Sequence, residues 1–329
     1  MRRALKFAAL ALVLFAAFVF LNNSALLAPA RKGKSILLAH RGLHQTYHRE
    51  GLQNDTCTAA RIFPPEHPFL ENTIASMTEA FRLGADIVEF DIHPTTDGHF
   101  AVLHDWMLDC RTNGTGVTRE HTLAELKALD IGYGYTADGG KTFPFRGKGV
   151  GLMPSLDEVL TAFPDRRFLI NIKSNDPTEG KLLADDLARL PHERLAPLMA
   201  YGGELPLQIV RGRLPALKTM SRQSLTRCLL GYFAIGWSGY VPDACRNSIV
   251  LIPINYAPFL WGWPDRFLDR MARVSTEVFV VGPLDGDFSS GIDDEPALRK
   301  LPANFTGGIW TNRIDRIAPL ARGSAMNDR

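Results

Sequence analysis

The chain is 329 residues long and 46% hydrophobic, with no biased tract, so it can bury a large core and is neither a disordered nor a fibrous polypeptide. Its formal net charge is +2; Arg2, Arg3 and Lys6 are the only charged residues among the first thirty, and +2 less these three leaves −1 for the remainder. That balance excludes a strongly basic nucleic-acid-binding face. No internal repeat and no Ser/Gly-rich or Pro-rich linker follows residue 35, which favours one domain over residues 31–329.

Behind the three basic residues, Phe7 to Leu21 is an unbroken apolar run, followed by Asn22-Asn23-Ser24 and a second apolar patch ending Ala28-Pro29-Ala30. Residues 1–30 are therefore expected to be a targeting element, either a signal peptide or a single membrane anchor, since the run falls between a signal-peptide core and a full span. Ala28 and Ala30 have the spacing of a cleavage site, whereas Arg31, Lys32 and Lys34 suit an uncleaved anchor. The anchor is the favoured reading, with residues 7–28 as the membrane contact. The bulk of the protein is then extracytoplasmic and membrane-anchored, or secreted or periplasmic if the segment is removed. In such an oxidising compartment the four cysteines, none in a C-x-x-C pair, are expected to form two disulfides. Cys57 with Cys110, both in loops above the same sheet end, and Cys228 with Cys245 are the expected pairs.

Ser35 to Ala39 reads as a short buried strand that ends in His40-Arg41-Gly42, as in an α/β barrel whose strand ends carry chemistry. The polar segment 43–70 has no clear period and reads as a loop insertion, a lid or a substrate-shaping wall, with His44, His48 and His67 as surface residues. Glu71-Asn72-Thr73 opens a helix with Ile74, Met77, Ala80, Phe81 and Leu83 on one face, and Gly84 stops it. Next comes the stretch around which the chain is organised. In Ala85 to Asp105 an apolar run, Ile87, Val88, Phe90 and Ile92, is interrupted at alternate places by Glu89 and Asp91, so both carboxylates share one strand face. If that face is buried, the two charges need a cation, and a hard oxygen-seeking metal, Mg²⁺ or Ca²⁺, suits them. A turn, Thr96-Asp97-Gly98, and a second run, Phe100 to Leu103, then deliver His104-Asp105, an imidazole placed for acid/base chemistry. His93 and His99 read as solvated.

Leu123 to Leu129 is a short helix, and a longer one starts at Pro154-Ser155-Leu156, with Pro154 suited to its first turn, and runs to Phe163. In the strand Arg167 to Lys173, Asn171 and Lys173 alternate as Glu89 and Asp91 do. Five further strand candidates, Pro197–Tyr201, Ala216–Met220, Ile249–Pro253, Glu277–Val281 and Gly308–Thr311, alternate with helical segments, which argues for a parallel sheet. That makes nine strands, one more than an eight-stranded barrel needs. Either Phe100 to Leu103 is a hairpin arm or Ile249 to Pro253 lies outside the barrel. Phe259 with Trp261-Gly262-Trp263 offers an aromatic wall for a substrate, though plain packing is the simpler account. Asn304-Phe305-Thr306 and Asn113-Gly114-Thr115 match glycosylation acceptors.

With His40-Arg41-Gly42, Glu71-Asn72-Thr73, Glu89-x-Asp91, Thr96-Asp97-Gly98 and His104-Asp105 in this order, and Gly307-Gly308-Ile309-Trp310-Thr311-Asn312 near the end, the chain resembles the glycerophosphodiester phosphodiesterase family. The resemblance implies an α/β fold, a TIM-type (β/α)8 barrel of the PLC-like phosphodiesterase kind. It also implies metal-assisted hydrolysis of a small-molecule glycerophosphodiester, with His40 and His104 as catalytic acid and base and one divalent cation, Mg²⁺ or Ca²⁺, on Glu89 and Asp91. Arg41 and Lys173 would bind phosphate oxygens. Nearby carboxylates would favour a protonated imidazole, so one histidine could start charged and the other neutral. One departure stands out: where the family usually has a third acidic ligand, this chain has Asn171, which brings an oxygen but no charge, so the site would bind metal less tightly or recruit Glu71. Glu71 and Asn72 are further candidates, as ligands, as orienting residues or as a helix cap. Two alternatives stand beside the main reading: a lysophospholipid or phosphoinositide as substrate, and a phosphate-ligand-binding protein that has lost turnover.

Overall fold

Strands buried on both faces need apolar side chains on both, and runs such as Ile-Leu-Leu-Ala in β1 (Ile36–His40) and Arg-Phe-Leu-Ile in β4 (Arg167–Ile172) supply them. In the computed structural model, which describes residues 2–29, 33–53, 56–285, 288–303 and 305–323, such runs form a nearly closed parallel barrel. The other barrel strands are β2 (Ile87–Pro94), β5 (Leu198–Gly202), β6 (Lys218–Ser221), β7 (Ile249–Pro253), β8 (Glu277–Val281) and β11 (Gly308–Thr311). Their order is β6-β5-β4-β2-β1-β11-β8-β7, and a parallel bridge between Thr219 and Ser248 joins β6 to β7. β3 (Phe100–Val102) pairs antiparallel with the end of β2, so it is the hairpin arm and Ile249–Pro253 belongs to the barrel. A small hairpin, β9 (Leu284–Asp285) with β10 (Phe288–Ser289), follows β8.

Helices pack outside the ring: α2 (Ile74–Arg82), α4 (Leu156–Ala162), α5 (Pro177–Leu187), α7 (Glu204–Arg213), α8 (Arg222–Ile235), α9 (Asp265–Arg273) and α11 (Ile314–Gly323), with the short α3 (Leu123–Lys127), α6 (His192–Leu195) and α10 (Glu295–Leu298) between them. The strand period of two assigns side chains to the two layers. Val88, Phe90 and Ile92 of β2 face the helices in one core with Phe81, Phe168 and Leu183, while Ile87 points inward with Leu38, Leu169, Met199 and Phe279. Above that inner plug, on the same face as Ile87, stand Glu89 and Asp91.

A separate core, Ile62, Leu70, Leu103, Leu108, Leu126, Ile131, Tyr135 and Met153 among its members, joins segment 43–70 to residues 101–153. The segment is thus a packed cap, not a free loop; its apolar residues lack a period because they meet another irregular segment. Cys57–Cys110 ties the two together, and Cys228–Cys245 ties α8 to the approach to β7, both as expected. Helix α4 starts two residues later than its proline suggests. Ser155 is its cap, accepting from the Glu158 N–H, and Pro154 lies before it.

Helix α1 (Arg2–Asn23) is long and apolar enough to cross a membrane by length and composition, and none of its residues is buried. Ala30, Arg31, Lys32 and Asn304, on which the cleavage, flanking-charge and one glycosylation reading rest, lie outside the described residues.

Between β1 and α2 the chain passes close beneath the helix start. Gly42 has φ +78, and a Cβ there would sit 2.5 Å from Ser76 Oγ and 2.9 Å from the Ser76 carbonyl carbon. Gly42→Ala is expected to lower unfolding stability by about 1–3 kcal/mol, from positive-φ strain plus the clash. Urea denaturation followed by circular dichroism measures it, and an unchanged midpoint would show that the turn yields without cost.

Candidate active site

β1 delivers His40 at its carboxyl end, and the chain then turns through Arg41, φ 58, while Asn72, φ 60, sits opposite it before α2. Left-handed backbone is tolerable for Asn and uncommon for Arg, a kind of outlier that clusters at functional sites. The Asn72 N–H donates to Arg41 O at 3.1 Å. Thr73, not Glu71 or Asn72, caps α2 by accepting from the Ser76 N–H, which frees the two preceding side chains. Asn72 uses both ends on Asp91: Nδ2 donates to Oδ2 at 3.0 Å, and Oδ1 accepts the Asp91 N–H at 3.2 Å. Glu71 is held between two buried arginines, Arg41 Nη1 at 3.1 Å and Arg111 Nη1 at 3.0 Å.

Glu89 and Asp91 are wholly buried. Glu89 accepts from Tyr201 Oη at 2.6 Å and from the Arg41 N–H at 3.1 Å. Asp91 accepts from Asn171 Nδ2 at 2.8 Å and pairs with Arg41 Nε at 3.3 Å and Lys173 Nζ at 3.5 Å. Burial, with Asp91 beside it, pushes the Glu89 carboxyl up to about 8. Burial pushes Asp91 the same way, but Lys173 and Arg41 outweigh it and hold that carboxyl well below its usual range.

Both histidines are oriented through Nδ1. The Asp293 carboxylate can only accept, so Asn312 must turn Nδ2 toward it (2.8 Å) and Oδ1 toward His40 Nδ1 (2.6 Å). His40 therefore carries its proton on Nδ1, and Nε2 accepts from Arg41 Nε at 3.2 Å, 3.7 Å from Glu89 Oε2. His104 Nδ1 likewise donates to Asp105 Oδ1 at 2.8 Å, and Arg111 grips that carboxylate from Nε at 2.9 Å and Nη2 at 3.2 Å. Burial and then the Arg41 cation lower the pKa of each imidazole, with His44 adding to the effect on His40 and Lys173 on His104. These directions run against the expectation that the carboxylates would charge one histidine: desolvation, with the Arg41 cation, outweighs them at both rings. Among the causes that hold the Asp91 carboxyl low, after Lys173 and Arg41, are the charges of both His104 and His40.

All nine residues singled out in the sequence, His40, Arg41, Glu71, Asn72, Glu89, Asp91, His104, Asn171 and Lys173, gather at this end of the barrel. Three of the blander readings are corrected. His44 is buried with its ring 5.8 Å from that of His40, and His67 is half-buried against Gln45, because segment 43–70 packs down as a cap. His93 is buried beneath the hairpin, Nε2 3.2 Å from His104 O, and burial lowers its pKa to about 4. His48 and His99 are exposed, as expected. Sequence reasoning missed Tyr201, Arg111 and Asp293, and assigned no role to Asn312 or Asp105. Tyr201 had a signal: it shares the inward parity of Met199 and pairs in register with Asn171.

Among the described residues no three His, Cys, Asp or Glu side chains converge as metal ligands, the neighbour of Asp91 on β4 being Asn171. The charges nonetheless fit a cation. The four buried or nearly buried acids Glu71, Glu89, Asp91 and Asp105 face three cations, Arg41, Lys173 and Arg111. Among the described residues Glu89 accepts hydrogen bonds from a hydroxyl and a backbone amide and from no cationic side chain, and burial, then Asp91, raises its pKa despite the nearby Arg41 and Lys173. A divalent ion on Glu89 and Asp91, with a neutral oxygen from Asn171, would fill it.

The sequence model of the Glycerophosphoryl diester phosphodiesterase family matches residues 40–189, the span that holds all nine residues. A glycerophosphodiester phosphodiesterase of Caldanaerobacter subterraneus subsp. tengcongensis is 43% identical over 103 residues, 31% of this chain and 39% of its own length. The chain spans about two fifths of the length of the curated bacterial relatives it matches. Among solved structures, the glycerophosphoryl diester phosphodiesterase domain of a Mycobacterium tuberculosis protein superposes with TM-score 0.60 at 15% identity, covering 90% of this chain and 100% of that one. A phosphodiesterase of Oleispira antarctica, solved with the product sn-glycerol-3-phosphate, gives 0.55 at 17% identity over 89% and 97%. The resemblance read from the motifs holds, and the barrel is the fold of these structures.

Proposed function

We propose that the protein hydrolyses glycerophosphodiesters to glycerol phosphate and an alcohol, with His40 as base and His104 as acid. The supporting observation is that His40 Nε2 stands 3.7 Å from Glu89 of the buried pair Glu89 and Asp91, while His104, oriented through Nδ1 as His40 is, interacts electrostatically with the same Asp91. His40 Nε2 takes the proton of the attacking water as its oxygen bonds to phosphorus. The bond from phosphorus to the alcohol oxygen breaks, and His104, which takes up a proton from solvent when the phosphodiester anion binds, gives its Nε2 proton to that oxygen. His104 is the better donor because the Asp105 carboxylate stabilises its cationic form, whereas His40 is backed by a neutral amide. Its lowered pKa rises when the phosphodiester anion binds beside it. Arg41 and Lys173 bind phosphate oxygens and position the phosphorus. A divalent cation on Glu89, Asp91 and Asn171 would add Lewis-acid stabilisation of the charged phosphoryl group.

The test is release of choline from glycerophosphocholine, with EDTA and with titrated Mg²⁺ or Ca²⁺. Chelation is expected to abolish turnover. Because Asn171 contributes no charge, Asn171→Glu is expected to lower the metal concentration for half-maximal rate by roughly tenfold. An unchanged concentration would remove Asn171 from the shell. Binding of glycerophosphocholine without turnover under either metal would favour a phosphate-ligand-binding protein instead.

A further inference from the structure

His44 is a buried imidazole that the hydrolytic steps leave unused. Its ring is 1% exposed and stands edge-to-face with that of His40. Nδ1 lies 2.9 Å from Gln45 O, and because a carbonyl oxygen can only accept, the ring proton is on Nδ1. Burial, with the Arg41 cation, lowers the pKa of this imidazole despite Glu71 and Asp293, which favours the neutral form. Nε2 is then a lone-pair acceptor, and among the described residues it is buried with no donor to meet it. An unpaired buried acceptor is destabilising, so this one calls for a ligand that donates.

The cap holds that acceptor in place. Gln45, 3% exposed, donates through Nε2 to His67 O and Phe69 O, both at 2.8 Å, which ties the backbone beside His44 to the returning limb of segment 43–70. The His44 ring lines two adjoining clefts where the cap meets the start of α11, one of about 500 Å³ and one of about 240 Å³. The smaller is also lined by Asn312, the partner of His40. The arginines lining the two clefts are Arg49, Arg313 and Arg316, and the acids are Glu66, Asp293 and Asp294. Three cations match three anions, and Glu66 engages both Arg313 and Arg316, so the lining suits a neutral polar group better than a further anion.

We propose that His44 recognises a hydroxyl on the alcohol that stays with phosphorus, its Nε2 accepting the O–H, and so selects phosphodiesters of polyols over those of plain alkyl alcohols. The inference rests on the hydrolytic reading above and names a residue that sets its specificity. In an in-line displacement the leaving alcohol departs toward His104, opposite the water held by His40. A group beside His40 and His44 therefore belongs to the half that keeps the phosphorus. In glycerol that half carries hydroxyls on the carbons next to the esterified one, within reach of a ring that packs against the base.

Choline release would be followed from glycerophosphocholine and from the phosphocholine esters of propane-1,2-diol, propane-1,3-diol and 1-propanol, with wild type and His44→Phe in Mg²⁺ or Ca²⁺. Phenylalanine keeps a ring beside His40 and removes the acceptor. We expect the wild type to prefer glycerophosphocholine to the propanol ester in kcat/KM by about tenfold or more, and His44→Phe to shrink that preference by about tenfold. One of the two diol esters should keep the wild-type preference and lose it in the variant, which identifies the hydroxyl bound. Each enzyme is read as a ratio between its own substrates, so a general loss of folded protein cancels. Calorimetric binding of glycerol 3-phosphate against propyl phosphate gives the corresponding ratio for a variant too slow to assay. An unchanged ratio, or an equal fall on all four esters, makes His44 a packing partner of His40 and overturns the inference while the hydrolytic reading stands. Turnover of none of the four by the wild type sinks both.

Discussion

Replacing His40 by alanine is expected to lower kcat/KM on glycerophosphocholine by about 10²–10⁴-fold, the range for losing a positioned general base. The ring's Nε2 sits at the site, and the neighbouring His44 ring is buried with its centroid 5.8 Å from that of His40. Asn312→Ala is expected to cost about ten- to a hundredfold on the same assay, because it removes the amide that fixes the His40 tautomer while leaving the ring. Both variants should unfold in urea near the wild-type midpoint, since His40 is partly solvent-accessible and Asp293 keeps its bonds to Thr311 and to the Asn312 N–H. Equal losses for the two substitutions would mean that Asn312 does more than orient its neighbour, and a retained rate in His40→Ala would dismiss the base.

Arg111→Met is expected to destabilise the protein by about 3–5 kcal/mol, the penalty for breaking a buried ion pair from one side. Arg111 is 1% exposed and serves two acids, Glu71 and Asp105, together with Thr58 Oγ1 and Tyr135 Oη. Methionine fills similar volume but leaves both carboxylates in a low-dielectric interior without that cation, and the cap core between segments 43–70 and 101–153 loses its polar centre. Denaturation by urea, monitored by circular dichroism, reads the change. A loss under about 1 kcal/mol would mean that water or Arg41 takes over the charge. Activity should fall further than stability at moderate temperature, since Asp105 also orients His104.

Much of the barrel could be read locally. Alternation in Ile-Val-Glu-Phe-Asp-Ile places Glu89 and Asp91 on one side of β2 whatever the strand packs against, since successive Cβ atoms diverge by covalent geometry. The helix start near Thr73 was legible for the same reason, as was the even cysteine count. The ninth strand was not. Phe100–Val102 and Ile249–Pro253 are both short apolar runs, and only pairing distinguishes an antiparallel arm from a barrel stave. That the irregular segment 43–70 packs as a cap was not legible, because its core contacts lie with residues 101–153 and no period within the segment encodes a partner outside it.

The sequence by itself determined the alternation of strands and helices and the shared face of Glu89 and Asp91, because strand parity, helix caps and apolar runs are short-range properties of the chain; the barrel and the site residues came from the family resemblance, and the choice among three disulfide connectivities was decided by the structure. Only the tertiary structure decided the protonation and partners of the histidines. His40 meets Asn312 across 272 positions, Glu89 meets Tyr201 across 112, and burial, with Arg41, outweighs the acids expected to charge the imidazoles. Burial and Coulomb interactions depend on distance and dielectric, and both came into being only when the ring of strands closed.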